Sequence, residues 1–283
     1  MINSLYYTKH NPVILFVYNI TAMTRRDLRF FKRWFTDFCK SYSSSDPEDQ
    51  KNYNLKEQHT DNVCKNILDI GGGLLLDEQK LMLSETIALF HDVGRFPQYS
   101  QYRTFRDSKS VNHGSLGAQV LQGRNTLGCL DKREQELILK AIRFHNAFSV
   151  LKTGDEELDF FVRLIRDADK LDIWRVFKDY YASPAEQRAS AAGLGLPDIP
   201  EYSGSVLSTI QQKRTVGLSK ITTLNDFKLL QLSWIFDLNF KPAFALVIQR
   251  GVIENIMETL PVTDDIREAV QSVRNYVRHS LST

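Results

Sequence analysis

The 283 residues carry 36 lysines and arginines against 34 aspartates and glutamates, a formal net charge of +2. With 42% hydrophobic and 25% charged residues the composition is that of an ordinary globular chain able to bury a sizeable core. So balanced a charge argues against bulk nucleic-acid binding, and three scattered cysteines, Cys39, Cys64 and Cys129, argue against a disulfide framework or a zinc ribbon. A reducing, cytoplasmic setting fits best.

In chain order, the first feature is an apolar run, PVILFVY at 12–18. It is too short to span a bilayer, lacks a clustered basic flank, and is followed by a poor cleavage site. Residues 1–22 are therefore expected to be an extension outside the fold, with 23–283 a single helical domain and no membrane association. A first helix starts at Thr24 and Asp27 in T-x-x-D register and carries Leu28, Phe31, Phe35 and Phe38 at helical spacing. The polar stretch from Ser43 to Gln50 reads as a loop. A second helix places Leu55, His59, Val63 and Ile67 on one stripe and ends at Gly71, Gly72 and Gly73. A third opens at Asp77 and runs through Ile87 to His91 and Asp92, just before Gly94.

Residues 94–111 read as a loop rich in arginine and aromatics. A fourth helix begins near His113, and a fifth, started by Asp131 and Glu134 in capping-box register, carries His145. A sixth spans about 155–180, its acidic start suited to the helix dipole. Proline and glycine between Gly193 and Gly204 mark a joint, and helices resume from about 205 to the end. No alternating strand pattern, internal repeat or heptad series interrupts this: the expected class is all-α.

Four of the six histidines, His59, His91, His113 and His145, sit on or beside four different helices. An unpaired imidazole on an apolar stripe is costly to bury. Four together suggest convergence in a bundle core, where helical folds build metal sites. At a helix end before glycine, His91 and Asp92 can be aimed at one point, and an aspartate has two oxygens with which to bridge two ions.

The order His59, His91-Asp92, Asp169, set in ETIALFHDVGRF and IRDADKLD, resembles the signature of HD-superfamily metal-dependent phosphohydrolases, among them a poorly characterised bacterial group. His113 in NHGSLGAQVL and His145 in IRFHN resemble the two extra histidines of the dinuclear members. The resemblance covers about residues 55–175. It implies an HD-domain helical bundle with an HD core at about 50–180, a metal site in that core, and an additional C-terminal helical part at about 205–283. It also implies divalent ions, two of them, of the set Mn, Fe, Co, Ni, Zn or Mg, held by His59, His91, Asp92, His113, His145 and Asp169. Asp92 would bridge, and Asp167 and Asp172 are candidates to hold the ligands in place.

The activity so implied is hydrolysis of a small phosphorylated substrate, a nucleotide or other phosphate ester, with Asp92, His113, His145 and Arg95 in the catalytic set. A metal-activated hydroxide serves as nucleophile. Arg95, Arg103, Arg106 and Lys109, in the loop between two metal motifs, are the expected phosphate contacts. Asn146 and Ala147 after His145 depart from the pattern of cyclic di-GMP hydrolases. Two alternatives stay open: a diiron oxygenase of the same superfamily, which uses the same ligand order, and a sensor or interaction module that keeps its metal. The aromatic residues Trp34, Trp174, Trp234, Phe236 and Phe240 are expected in the core, and Asp237 as a capped carboxylate, a buried one, or one that supports the metal ligands from behind.

Overall fold

The computed structural model describes residues 22–149, 152–191 and 195–282. Of the N-terminal extension read at 1–22, only Ala22 falls within them; the rest lies outside the described residues. Met23 is the first buried residue among the described ones. Its side chain is buried, and its backbone N–H donates to the Glu134 carboxylate at 3.0 and 3.1 Å.

Twelve α-helices follow among the described residues, with no strand. They are α1 (Arg25–Lys40), α2 (Pro47–Gly73), α3 (Glu78–Phe90), α4 (Arg95–Tyr102), α5 (His113–Gly123), α6 (Lys132–Phe144), α7 (Glu156–Ala182), α8 (Gly204–Gln211), α9 (Leu224–Ser233), α10 (Lys241–Gln249), α11 (Val252–Met257) and α12 (Asp264–Ser282). The fold is all-α, and no helix among the described residues is long and apolar enough to cross a membrane.

Side-chain caps set most of the early boundaries. Thr24 and Asp27 form a complete capping box on α1. Asp77 accepts from the Lys80 N–H and Asp131 from the Glu134 N–H, both at 2.8 Å, satisfying donors that a helix start leaves orphaned. Only half of the second expected box forms. The Glu134 carboxylate turns away to hold Met23 and, at 2.8 Å, Gln79 Nε2.

Two expected loops are partly helical. The 43–50 stretch ends early because Asp46 caps α2 and Pro47 takes its first position, where the missing N–H costs nothing. Within 94–111, residues 95–102 form α4 and 107–109 a 3₁₀ turn. Phe96 and Tyr99, three residues apart, are both buried in an aromatic cluster with Tyr53, and burial of that face outweighs the loop-like composition. Arg103, at φ 55° in the left-handed region, ends the helix.

The long helices α2 and α7 lie against each other, and α3 contacts both. The α5–α6 pair closes one side through α3 and α7, while α1 lays Phe31 edge-on against Phe90 of α3. Both rings are fully buried, each worth about 1.5–3 kcal/mol relative to exposure. The C-terminal helices return to this core. Asp167 of α7 accepts the backbone N–H groups of Asn239 and Phe240 at 2.9 and 3.0 Å, and α10 and α11 touch α7.

Candidate metal centre

Four histidines arrive from four elements. His59 comes from the middle of α2, His91 from the end of α3, His113 from the first residue of α5, and His145 from the end of α6. All four are buried, at 3% exposure or less. Asp92 follows His91 in the turn before α4, and Asp169 projects from α7.

Close helix approach brings these groups together. A Cβ on Gly94 would stand 2.1 Å from the His113 carbonyl oxygen, and one on Gly114 2.7 Å from that of Ile142. Glycine at both positions lets the start of α5 lie directly on the His-Asp turn and on α6. His113 and His145 thereby reach the same point.

The Nδ1 of every one of these histidines faces an acceptor. His59 Nδ1 lies 2.7 Å from Asp172 Oδ2, His91 Nδ1 2.7 Å from the Ala88 carbonyl, His113 Nδ1 2.8 Å from Asp107 Oδ2, and His145 Nδ1 2.6 Å from the Ile142 carbonyl. An acceptor at Nδ1 keeps the proton there and turns the Nε2 lone pair inward, the arrangement by which proteins orient metal-binding imidazoles. The Nε2 atoms meet in pairs, His59 with His91 at 3.3 Å and His113 with His145 at 3.0 Å.

Asp92 divides its oxygens between the pairs. Oδ2 is 3.6 Å from His59 Nε2 and 3.8 Å from His91 Nε2, whereas Oδ1 is 3.3 Å from His113 Nε2 and 4.0 Å from His145 Nε2. Asp169 joins the first pair only, at 3.0 and 3.7 Å. The ligand atoms of His59, His91 and Asp169, and those of His91, Asp92 and His145, form two compact groups within 4.8 Å. Nitrogen and carboxylate donors in this mixture suit a divalent transition metal.

The electrostatics agree with that donor set. Burial alone would raise the Asp92 carboxyl, but Lys56, His91, Arg95 and His113 outweigh it and hold it well below the usual range. Asp169 is held low in the same way by His59 and His91, again against burial. Burial pushes His145 down to about 3, so it stays neutral and available as a ligand. His113 is lowered too, by burial and by Arg95. For His59, burial acts downward, but the carboxylates of Asp169 and Asp172 prevail and draw it up to about 9. A cation entering between these groups would displace that proton.

A cavity of about 290 Å³ opens onto the centre, lined among others by His59, Asp92, His113, His145 and Asp169. Of the expected phosphate contacts, only Arg95 lines it. Its Nε stands 3.3 Å from Asp92 Oδ1 without hydrogen-bond alignment, while Nη1 donates to Asp107 Oδ1 and Gln98 Oε1, each at 2.9 Å. Arg103, Arg106 and Lys109 do not line the cavity. Arg103 pairs with Asp49 and lies over the Tyr99 ring, because the left-handed residue at the end of α4 directs it away.

Other cations take that place. Lys56 Nζ is 2.8 Å from Asp92 Oδ2, and Arg166 and Lys170 share Asp237 at 2.5 and 2.7 Å. Arg166 is buried and its Nε has no partner. Lys56 lies three residues before His59 on α2, and Arg166 and Lys170 flank Asp169 on α7 at offsets of minus three and plus one. Sequence reasoning missed all three; the three-residue helical offset from a ligand could have found Lys56 and Arg166, and Lys170 through its four-residue offset from Arg166. Asp107, which holds His113, Arg95 and Asn146 together, had no such signal. Trp234, expected in the core, is only partly buried and lines the outer cavity with Val216 and Leu218.

An all-helical fold with a buried His/Asp cluster of this kind defines a candidate metal-dependent enzyme. Residues 57–174 match the family model described as HD domain, a family whose members are generally hydrolases. No curated protein and no solved structure matches the chain.

Proposed function

We propose that the protein is a metal-dependent phosphohydrolase acting on a nucleotide or another small phosphate ester. The observation that carries this reading is the joining of a six-residue imidazole and carboxylate cluster to a cavity with four cations, Lys56, Arg95, Arg166 and Lys170. His59, His91, Asp92 and Asp169 would hold one ion, and Asp92, His113 and His145 a second. Bound there, divalent ions supply Lewis acidity toward phosphoryl oxygens and lower the pKa of water.

The chain's own residues do the rest. Arg166 and Lys170 present two positive charges against the single carboxylate of Asp237, leaving net charge to grip an anionic group in a site screened from water. Arg95, fixed by Asp107 and Gln98, can contact a second oxygen without reorganising. The apolar outer wall of Val216, Leu218 and Trp234 suits the organic part of the ester and excludes water from it. Four cations lining one cavity favour an anionic substrate.

The test is phosphate release from a panel of nucleotides and sugar phosphates with Mn²⁺, Fe²⁺, Co²⁺, Ni²⁺ or Mg²⁺. We expect release from at least one ester, abolished in Asp92→Ala. In Lys170→Ala, kcat/KM should fall by about one to two decades, the loss of one charge-assisted contact of about 1.5–3 kcal/mol. Protein that binds metal yet releases phosphate from none of them overturns the proposal.

A further inference from the structure

A second cavity, of about 350 Å³, is lined by a later stretch of α2 (Asn62 to Asp69) than the cationic one (Lys56 and His59), and no step of the proposed hydrolysis uses it. Its volume is within the range of about 300–1,000 Å³ typical of small-molecule sites. One wall comes from α2 and α7, with Lys65, Trp174, Arg175 and Lys178. The other comes from Gln231 on α9 and from Arg250, Val252 and Ile256 around the start of α11. That second wall lies outside residues 57–174, so the cavity is a product of how this chain's C-terminal helices return to its HD core, not of the HD segment alone.

Three features converge there. Lys65, Arg175, Lys178 and Arg250 set four cations against the two lining carboxylates, Asp69 and Asp172. Arg175 is committed to Asp172 and Asp179, and Arg250 reaches Asn66 at 2.8 Å, whereas Lys65 and Lys178 are exposed at the rim. Between the cations lies an apolar floor of Leu171, Val252 and Ile256 beside the Trp174 ring. Gln231 supplies the third feature. It is fully buried, its Nε2 donates to the Tyr181 hydroxyl at 3.2 Å, and its Oε1 has no partner. A buried amide oxygen without a donor is destabilising unless something supplies one.

We propose that this cavity is a second ligand site for an organic phosphate of the nucleotide class. Its phosphate would meet the cationic rim, its flat part the apolar floor, and an N–H group the Gln231 amide. Inorganic phosphate lacks the last two parts, and an uncharged aromatic lacks the first. The proposal does not depend on phosphate release by the other cavity.

The experiment is calorimetric titration of the chelator-treated full chain, in which nothing is turned over, with ATP, GTP, AMP and pyrophosphate. Saturable nucleotide binding is expected to persist in Lys170→Ala, whose change lies in the other cavity. It should weaken at least tenfold in Lys65→Ala/Lys178→Ala, where both side chains are at the surface and the fold is unaffected. Pyrophosphate should bind at least tenfold more weakly than the best nucleotide. Absence of nucleotide binding, binding abolished by Lys170→Ala but not by the double change, or pyrophosphate binding as tightly as any nucleotide would each overturn the assignment.

Discussion

Replacing Gly94 with alanine tests how the histidines are brought together. The new Cβ would lie 2.1 Å from the His113 carbonyl oxygen, 2.6 Å from the Gly117 nitrogen and 3.1 Å from the Gly117 Cα, while ordinary contact begins at 3.4 Å. All three neighbours are backbone, so no side chain can rotate out of the way. The first turn of α5 must retreat by roughly 1 Å, and an overpacked core of this density charges about 1–3 kcal/mol for such a shift. Without flexible neighbours the upper end applies, about 3 kcal/mol, or roughly 5–10 °C in Tm for a chain of this size. The retreat carries His113 with it. Metal–ligand distances tolerate only about 0.2 Å, so the ion assigned to Asp92, His113 and His145 should be lost. Calorimetric melting of the chelated protein measures the first effect and elemental analysis after metal loading the second. Gly72→Ala is the control, since nothing lies within 4 Å of the Cβ that alanine would add there, and its Tm should hold or rise. Wild-type Tm together with a full complement of metal in Gly94→Ala would refute the close-approach reasoning.

Three further outcomes are expected. His113→Ala or His145→Ala should lower bound metal from two ions toward one, and a wild-type chain that never holds more than one ion under saturating metal would rule out the two-ion reading. Asp172→Ala removes the acceptor 2.7 Å from His59 Nδ1 and should weaken metal affinity about 10–100-fold with circular dichroism unchanged; wild-type affinity in an equilibrium chelator competition would contradict that role. Glu134→Ala strips the partner from the Met23 N–H and from Gln79, leaving a buried donor unpaired, and should cost about 1–3 kcal/mol in denaturant unfolding without altering metal content.

The helical class and most helix starts were legible because they are written locally. Thr24, Asp77, Asp131 and Asp155 each accept a hydrogen bond from an N–H within three residues, so the sequence neighbourhood contains the whole interaction. The convergence of His59, His91, Asp92, His113, His145 and Asp169 was legible only through pattern, since their order carries the HD resemblance while nothing local to any one of them specifies the others. The stretch at 94–111 failed for the opposite reason. Pro97, Arg95 and Arg103 give it a loop's composition, but Phe96 and Tyr99 are buried against Tyr53, a residue more than forty positions away.

The cationic side chains show what kind of information a sequence withholds. Chain connectivity suggested that a segment leaving Asp92 and returning at His113 must carry its arginines near the centre. Connectivity limits only where a segment's ends lie. Arg95, one turn from Asp92, stays close, but the left-handed residue Arg103 turns the chain, and its guanidinium settles on Asp49 instead. A helix gives a stronger guarantee, because residues three or four apart must share a face. Lys56 therefore had to accompany His59, and Arg166 had to share the cavity side of α7 with Asp169 and Lys170 once that face was known to be buried. For a helical metal site, then, cations at helical offsets from the ligands are the better candidates for an anionic substrate. Those in the intervening segments come second, however short the segment.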